Sequence, residues 1–125
     1  MNNKKYIFKF REGGFYENAY YYYICKIEDK YHFIIKNPML DMTVFNPMTG
    51  EYVGEIGKTQ ECYDSFILEF KEIVKDWKED YHNNNILGGT QWELEDKINK
   101  IDISGSNEFP KNYNELINLI KKYFY

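Results

Sequence analysis

Residues 19–36 read AYYYYICKIEDKYHFIIK, and this stretch predicts the centre of the fold. Two runs of aromatic and β-branched residues, 19–27 and 31–36, lie on either side of the polar break Glu28-Asp29-Lys30. Such residues favour strands, and a short polar break between two strands is typical of a β-hairpin. We therefore expect an antiparallel hairpin that ends at Asn37-Pro38, because proline has no amide hydrogen to donate to a neighbouring strand.

The run Tyr20-Tyr21-Tyr22-Tyr23 is the most unusual local feature of the sequence. Alternate side chains of a strand project from opposite faces, so Tyr20 and Tyr22 share one face and Tyr21 and Tyr23 share the other. One pair is expected to fill the core, and the other pair to lie exposed or beneath a helix. Because tyrosine is enriched where proteins meet proteins, we assign Tyr21 and Tyr23 as candidate partner-binding residues.

Strand patterns continue on both sides of this hairpin. Upstream, Tyr6, Phe8 and Phe10 alternate with other residues and are expected to share one face of a strand. Downstream, shorter strand patterns occupy 42–45 and 51–56, and a second hairpin with a buried tryptophan is expected over 90–104. The N-terminal half therefore predicts an antiparallel meander.

The apolar residues change to three- and four-residue steps over 61–81, which predicts one long amphipathic helix. Thr59 or Asp64 is expected to cap its start, and a second apolar stripe after Pro110 predicts a C-terminal helix. The expected fold class is α+β: an antiparallel meander of about five to seven strands, packed by the long helix and the C-terminal helix in a single domain, 1–125. The long helical stripe comprises Tyr63, Phe66, Ile67, Phe70, Ile73, Val74, Trp77 and Tyr81.

Composition and charge narrow the classes of partner. The chain has 13 Tyr, 9 Phe and a single alanine, so the core is expected to consist largely of aromatic rings. A net charge of −4 argues against bulk attraction to nucleic acid or to an anionic membrane. No apolar run has the length of an export signal or a membrane span, so we expect a cytoplasmic protein with free thiols at Cys25 and Cys62.

Residues that often bind metals or act as nucleophiles are present, but their spacing argues against both roles. The two cysteines and two histidines lack the close spacing of zinc ligands, so no metal is expected. Cys25 and His32 lie on strands expected to pair, but nothing in the sequence marks an oxyanion hole or a third residue to orient the histidine. The four residues are Cys25, His32, Cys62 and His82.

The remaining signatures of catalysis are also weak. Glu93, Glu95 and Asp102 are expected on the wet face of the second hairpin, where carboxylates are normally solvated. The glycine pairs Gly13-Gly14 and Gly88-Gly89 lack the lysine and hydroxyl residue of a phosphate-binding loop. We therefore expect no catalytic residues and no cofactor.

Seven acidic and three basic side chains lie within 61–81, so this segment holds a large share of the negative charge. Such a face is either simply solvated or docks a basic partner, as small proteins that imitate nucleic-acid phosphates do. The acidic candidates for partner binding are Glu69, Glu72, Asp76, Glu79 and Asp80.

Three segments between 77 and 113 form a recognisable pattern. The pattern resembles a C-terminal module of small, mostly uncharacterised proteins of low-GC bacteria and their phages. The resemblance implies an α+β fold and transfers no catalytic residues. The segments are Trp77-Lys78-Glu79-Asp80-Tyr81, Gly89-Thr90-Gln91-Trp92-Glu93-Leu94 and Ser104-Gly105-Ser106-Asn107-Glu108-Phe109-Pro110-Lys111-Asn112-Tyr113.

These features favour a non-enzymatic protein-binding inhibitor of bacterial or phage origin, of the anti-CRISPR or immunity-protein type, that occludes a partner's surface. One alternative is a small enzyme or ligand-binding domain with an aromatic-lined pocket around Tyr20–Tyr23. Another is a module that stacks single-stranded nucleic acid on exposed tyrosines, although the expected partner is a protein. The sequence leaves the oligomeric state open.

Overall fold

The chain forms an α+β fold, as predicted, with nine strands and two helices among the residues that the structure describes. The structure is a computed structural model that describes residues 6–14, 19–37, 42–46, 51–53, 55–83 and 89–125. The turn predicted at Pro38 and the first glycine of the pair at Gly88 lie outside these ranges. The elements are β1 (Tyr6–Gly14), β2 (Tyr20–Ile27), β3 (Lys30–Asn37), β4 (Met42–Asn46), β5 (Glu51–Val53), β6 (Glu55–Lys58), α1 (Gln60–Val74), β7 (Asp80–His82), β8 (Thr90–Asp96), β9 (Ile101–Ser106) and α2 (Tyr113–Phe124).

One sheet has the strand order β5-β4-β3-β2-β1-β8-β9-β7, and β6 also pairs with β3. The predicted β2–β3 and β8–β9 hairpins are confirmed, and all pairings are antiparallel except the parallel one between β7 and β9. The segment 51–56, predicted as one strand, is divided between β5 and β6, which pair with different strands. The sheet departs from a simple meander because β8 pairs with β1, which joins the two halves of the chain.

Aromatic rings from the sheet and from both helices form the core on one side of the sheet. Phe8 of β1 meets Phe66 and Phe70 of α1 edge to face, with ring centroids 5.1 and 5.2 Å apart. Phe33 of β3 meets Phe124 of α2 with a centroid distance of 4.9 Å. All five side chains are buried, and such ring pairs contribute about 0.5–1.5 kcal/mol each beyond the burial of their area. Both helices therefore cover the same face of the sheet.

A bulge in β1 overturns the expectation that Tyr6 shares a face with Phe8 and Phe10. Tyr6 pairs with Cys25 and Phe8 pairs with Ile24, so two steps along β1 match one step along β2. An extra residue of this kind reverses the face from which the side chains before it project. Tyr6 consequently projects away from the helices.

The first helix is shorter than predicted. The backbone amide of Cys62 donates to Thr59 Oγ1 at 3.2 Å, so Thr59, one of the two predicted caps, is confirmed. At the other end α1 stops at Val74, and Asn112 Nδ2 donates to the carbonyl oxygen of Ile73 at 2.9 Å. A continuing helix would pair that carbonyl with the amide of the residue four positions later. The side chain of Asn112 takes its place.

Trp77 and Tyr81 do not extend the helical stripe and instead pack against the sheet. Trp77 Nε1 donates to Asn112 Oδ1 at 2.7 Å, and its ring meets Trp92 edge to face at 5.9 Å. Tyr81 lies in β7 and contacts Trp92 with a centroid distance of 5.9 Å. The helical spacing of these two residues is therefore incidental, because tertiary contacts rather than a helical face bury them.

The residues of the recognisable C-terminal pattern build structure around Trp92. The indole of Trp92 is fully buried, lies over Gly105 and donates from Nε1 to the carbonyl oxygen of Glu108 at 3.0 Å. A Cβ atom on Gly105 would lie 2.1 Å from Trp92 Nε1. Asn107 adopts a φ of 60° and its Oδ1 accepts the amide of Thr90 at 2.9 Å. These glycine and asparagine positions are thus required by close packing.

We expect Gly105→Ala to lower the free energy of unfolding by about 2–3 kcal/mol, because the added methyl group forces the buried indole out of its position. Urea unfolding followed by tryptophan fluorescence measures the change. Ser104→Ala, at the neighbouring position of β9, is the control and should stay within about 0.5 kcal/mol of the parent chain. Equal losses for both variants would contradict the packing of Trp92 on Gly105.

Candidate binding surface on the outer face of the sheet

The face of the sheet that points away from α1 and α2 carries tyrosine and charged side chains, together with the buried Cys25 and Ile34. Tyr22 packs on Phe10 and Phe124, so alternation places Tyr21 and Tyr23 on the opposite side. We call that side the outer face. Its side chains on β1, β2, β3, β7, β8 and β9 include Tyr6, Lys9, Arg11, Tyr21, Tyr23, Cys25, Ile34, Lys36, Asp80, Glu93, Glu95, Asp102 and Ser104.

The strand register arranges the outer face in two rows that cross the sheet. The first row follows the order Lys36, Tyr21, Arg11, Glu93, Ser104, Asp80 from β3 to β7. The second row follows the order Ile34, Tyr23, Lys9, Glu95, Asp102 from β3 to β9. Within these two rows, positive charge therefore lies on β3 and β1, and negative charge lies on β8, β9 and β7. We call these the basic half (Lys9, Arg11, Lys36) and the acidic half (Asp80, Glu93, Glu95, Asp102).

Three tyrosines form a continuous aromatic strip across β1 and β2. The rings of Tyr21 and Tyr23 stack with centroids 5.9 Å apart and planes within 13° of each other. Tyr6 adjoins Tyr23 with a centroid distance of 5.2 Å, which the bulge in β1 makes possible. We call Tyr6, Tyr21 and Tyr23 the tyrosine strip.

Cationic side chains lie over every ring of the tyrosine strip. The guanidinium carbon of Arg11 is 5.6 Å from the ring centre of Tyr21, and Lys36 Nζ is 5.9 Å from that of Tyr23. Lys97 Nζ is 4.0 Å from the ring centre of Tyr6. Cation–π contacts at exposed sites contribute about 0.5–1 kcal/mol each. They hold the rings in place and occupy the ring faces on which a nucleic-acid base would stack.

Hydrogen bonds between the two halves fix the strip further. The Tyr6 hydroxyl donates to Glu95 at 2.9 Å, and Lys9 Nζ donates to Glu93 at 3.0 Å. Burial and the hydrogen bond to Glu95 raise the pKa of Tyr6, and burial raises the pKa of Tyr23. Burial is the largest single effect on Lys9 and lowers its pKa, but the hydrogen bond to Glu93 and the charge of Glu93 together outweigh burial, so the pKa of Lys9 is raised overall. At neutral pH these tyrosines carry hydroxyl groups and Lys9 is charged.

A cavity of about 230 Å³ opens beside the strip and is lined by Tyr6, Tyr23, Cys25, Ile34 and Lys36. The predicted neighbourhood of Cys25 and His32 is confirmed, because the two residues are directly opposite in the β2–β3 ladder. Cys25 is only 3% exposed. The cavity thus offers a thiol, an ammonium group and aromatic walls.

The four residues considered as zinc ligands are not brought together as a set. Cys62 lies on α1, which packs on the core side of the sheet, and His82 lies on β7, which is separated from β2 by three strands. Among the described residues, no three histidine, cysteine, aspartate or glutamate side chains lie close enough to hold a metal ion. Glu95 and Asp102, by contrast, are direct neighbours across the β8–β9 ladder, as predicted.

The predicted acidic residues are separated by the fold. Only Glu69 and Glu72 lie on α1, because Asp76 follows the helix end and Asp80 belongs to β7. Tyr81 of β7 faces the core, so the exposed Asp80 projects from the outer face next to Ser104. Of the acidic candidates, Asp80 therefore shares a surface with Tyr21 and Tyr23, while the acids of α1 lie on the other side of the sheet.

The two acidic candidates on α1 have lysine neighbours that largely offset their charges, and Asp80 has a histidine neighbour. Glu69 accepts bonds from Tyr123 and Lys122, and these bonds lower its pKa. Glu72 accepts a bond from Lys75 at 2.7 Å. Asp80 contacts the imidazole of His82. The acidic face of α1 consequently attracts a basic partner less than the sequence suggested.

The sequence did not indicate that Tyr6, Lys36 and Lys97 belong to the outer face. It also did not indicate that Arg11 pairs with Tyr21. Their alternation within each strand is visible in the sequence, but the bulge at β1 and the β1–β8 pairing are not. Arg11 Nε donates to the Tyr21 hydroxyl at 3.1 Å, a contact that only the β1–β2 register reveals.

Comparison with protein-family models, with curated proteins and with solved structures found no match to the chain. Neither helix in the described ranges has the length and apolar character that a membrane crossing needs. The functional inference therefore rests on the geometry of the outer face.

We expect Cys62 to react with a thiol reagent roughly tenfold faster than Cys25, because Cys62 is partly exposed whereas Cys25 is buried behind the tyrosine strip. The variants Cys62→Ser and Cys25→Ser each leave a single thiol, and absorbance of the released reagent follows its modification. A Cys25 thiol that reacts as fast as Cys62 would contradict this burial and would favour a reactive cavity.

Proposed function

We propose that the chain is a non-enzymatic protein-binding inhibitor of bacterial or phage origin, of the anti-CRISPR or immunity-protein type, which covers a partner's surface with its outer face. The observation that supports this proposal is the tyrosine strip, on the side of the sheet opposite α1 and α2. Tyrosine and arginine are among the residues that contribute most to binding in protein interfaces.

The rigidity of the strip favours protein binding. Ordering a flexible side chain on association costs about 0.5–1.5 kcal/mol, so residues that are already fixed bind more tightly. Tyr21 is held by Arg11, and Tyr6 is held by Glu95 and Lys97. The carboxylates and cations of the two halves then surround the strip with charge that selects one orientation of the partner.

The same contacts count against the nucleic-acid alternative. Stacking of bases needs open ring faces, whereas Tyr21 and Tyr23 face each other and cations lie over their rings. The four carboxylates of the acidic half would also repel phosphates. The cavity beside Tyr23 and Cys25 is the one observation that favours a second candidate, a small-ligand site, and its lining of one lysine and aromatic walls fits a small aromatic anion.

Substitution of the strip tests the proposal in co-expression with the products of the neighbouring genes. We expect a 1:1 complex with one of these products, isolated by size-exclusion chromatography, that suppresses that product's activity. Tyr21→Ala combined with Tyr23→Ala should weaken the complex by about 30-fold or more, the loss of at least 2 kcal/mol typical of central interface residues.

The matched control neutralises α1 on the other side of the sheet. Glu69→Gln combined with Glu72→Gln should change the affinity by less than about threefold, because these exposed charges already have lysine partners. A larger loss of affinity in the α1 double variant than in the tyrosine double variant would indicate that α1 forms the interface. A chain that forms no complex with any neighbouring gene product would contradict the inhibitor function itself.

A further inference from the structure

The outer face is complementary to itself. Its basic half contains Lys9, Arg11 and Lys36, and its acidic half contains Asp80, Glu93, Glu95 and Asp102. The halves lie side by side on strands that run in the order β3-β2-β1-β8-β9-β7. A surface with opposite charges on its two halves attracts a rotated copy of itself, which is the requirement for a two-fold interface.

We propose that, without its partner, the chain forms a two-fold dimer in which the outer faces of two copies pack against each other. This inference goes beyond the proposed function because it concerns the chain alone, and it makes partner binding compete with self-association. Packing of two sheets face to face places them about 10 Å apart, a distance that long side chains from both sheets bridge.

The charge pattern selects the direction of the two-fold axis. The axis considered first lies midway between the two sheets, runs parallel to the strands and passes over the line between β1 and β8. It places β1 over β8, β2 over β9 and β3 over β7 of the second copy. In the first row, Lys36 then lies opposite Asp80 of the second copy, and Arg11 lies opposite Glu93 of the second copy. In the second row, Lys9 lies opposite Glu95 of the second copy. Every cation of the basic half thus meets a carboxylate.

The tyrosine strip fits the same arrangement. Tyr23 lies opposite Asp102 of the second copy, and Tyr21 lies opposite Ser104 of the second copy. Tyrosine hydroxyls donate to carboxylate and hydroxyl oxygens, so these positions are complementary in hydrogen bonding as well as in charge. An axis perpendicular to the strands would instead place each strand over itself. Acids would then face acids, which is destabilising.

The size of the face sets the strength of the dimer. Six strands about 4.8 Å apart, each with about six paired residues on average at about 3.3 Å per residue, cover roughly 550 Å² per copy. Stable interfaces bury about 800 Å² per partner, so this dimer belongs to the weak class. We expect a dissociation constant of roughly 10–100 µM at low salt, which leaves the face available to a tighter-binding partner.

Sedimentation velocity of the chain alone tests the dimer. In about 50 mM salt the chain should pass from monomer to dimer between roughly 5 and 300 µM. About 0.5 M salt should weaken the dimer at least fivefold, because exposed charges are then screened within a few ångströms. A chain that stays monomeric at about 300 µM in low salt overturns the proposal.

A charge exchange tests the predicted pairing itself. Lys36→Glu and Asp80→Lys each create a repulsive contact, so each variant alone should dimerise at least tenfold more weakly. An equimolar mixture of the two variants should restore association. In the mixed dimer, one of the two symmetric 36–80 contacts has its charges exchanged and the other is the native pair of Lys36 and Asp80. Circular dichroism verifies that both exposed substitutions leave the fold intact.

The controls separate this pairing from general charge effects. Lys111→Glu and Asp29→Lys make the same charge changes at exposed turn positions and should leave the dimer unchanged. A mixture of Lys36→Glu and Asp80→Lys chains that stays monomeric would overturn the proposal, as would an oligothymidylate that occupies the outer face in place of a second copy. Because the chain is measured alone, failure here is distinguishable from failure of the inhibitor function, which is measured with the partner present.

Discussion

The pairing of β1 with both β2 and β8 is the constraint on which the rest of the structure depends. Through its ladder to β8, β1 joins the N-terminal strands to the C-terminal hairpin in one sheet. Successive side chains of β1 project to opposite sides of the sheet, so Phe8 and Phe10 lie in the core while Lys9 and Arg11 lie on the outer face. A single strand register thus positions the aromatic core and the candidate binding surface together.

A second constraint acts at the end of α1, where two tryptophans and an asparagine meet. Asn112 bonds both to the indole of Trp77 and to the last turn of α1, so one side chain joins the start of α2 to the end of α1. Trp92 fills the space beneath this contact because Gly105 has no side chain. Several residues of the recognisable C-terminal pattern, among them Trp77, Trp92, Gly105 and Asn112, thus have structural roles in this packing.

The outer face connects this architecture to function. Cross-strand neighbours of opposite charge stabilise the sheet and also divide its surface into a basic and an acidic half. Glu72 and Glu69 of α1 pair with Lys75 at the end of that helix and with Lys122 of α2. A surface that is rigid, aromatic and charged in two halves is suited to bind another protein in one orientation.

The sequence by itself determined the fold class, both hairpins and the separation of Tyr20 and Tyr22 from Tyr21 and Tyr23, because each depends on local periodicity. It narrowed the N-cap of α1 to Thr59 or Asp64, and the structure decided for Thr59. The sequence placed Tyr6 on the wrong face and carried α1 too far. A bulge leaves no mark in an alternating pattern, and Trp77 and Tyr81 match helical spacing by coincidence. Only the tertiary structure decided that β8 pairs with β1, and hence that Asp80 and Lys36 belong to one surface. Such contacts join residues far apart in the chain, and their register depends on packing that no local pattern records.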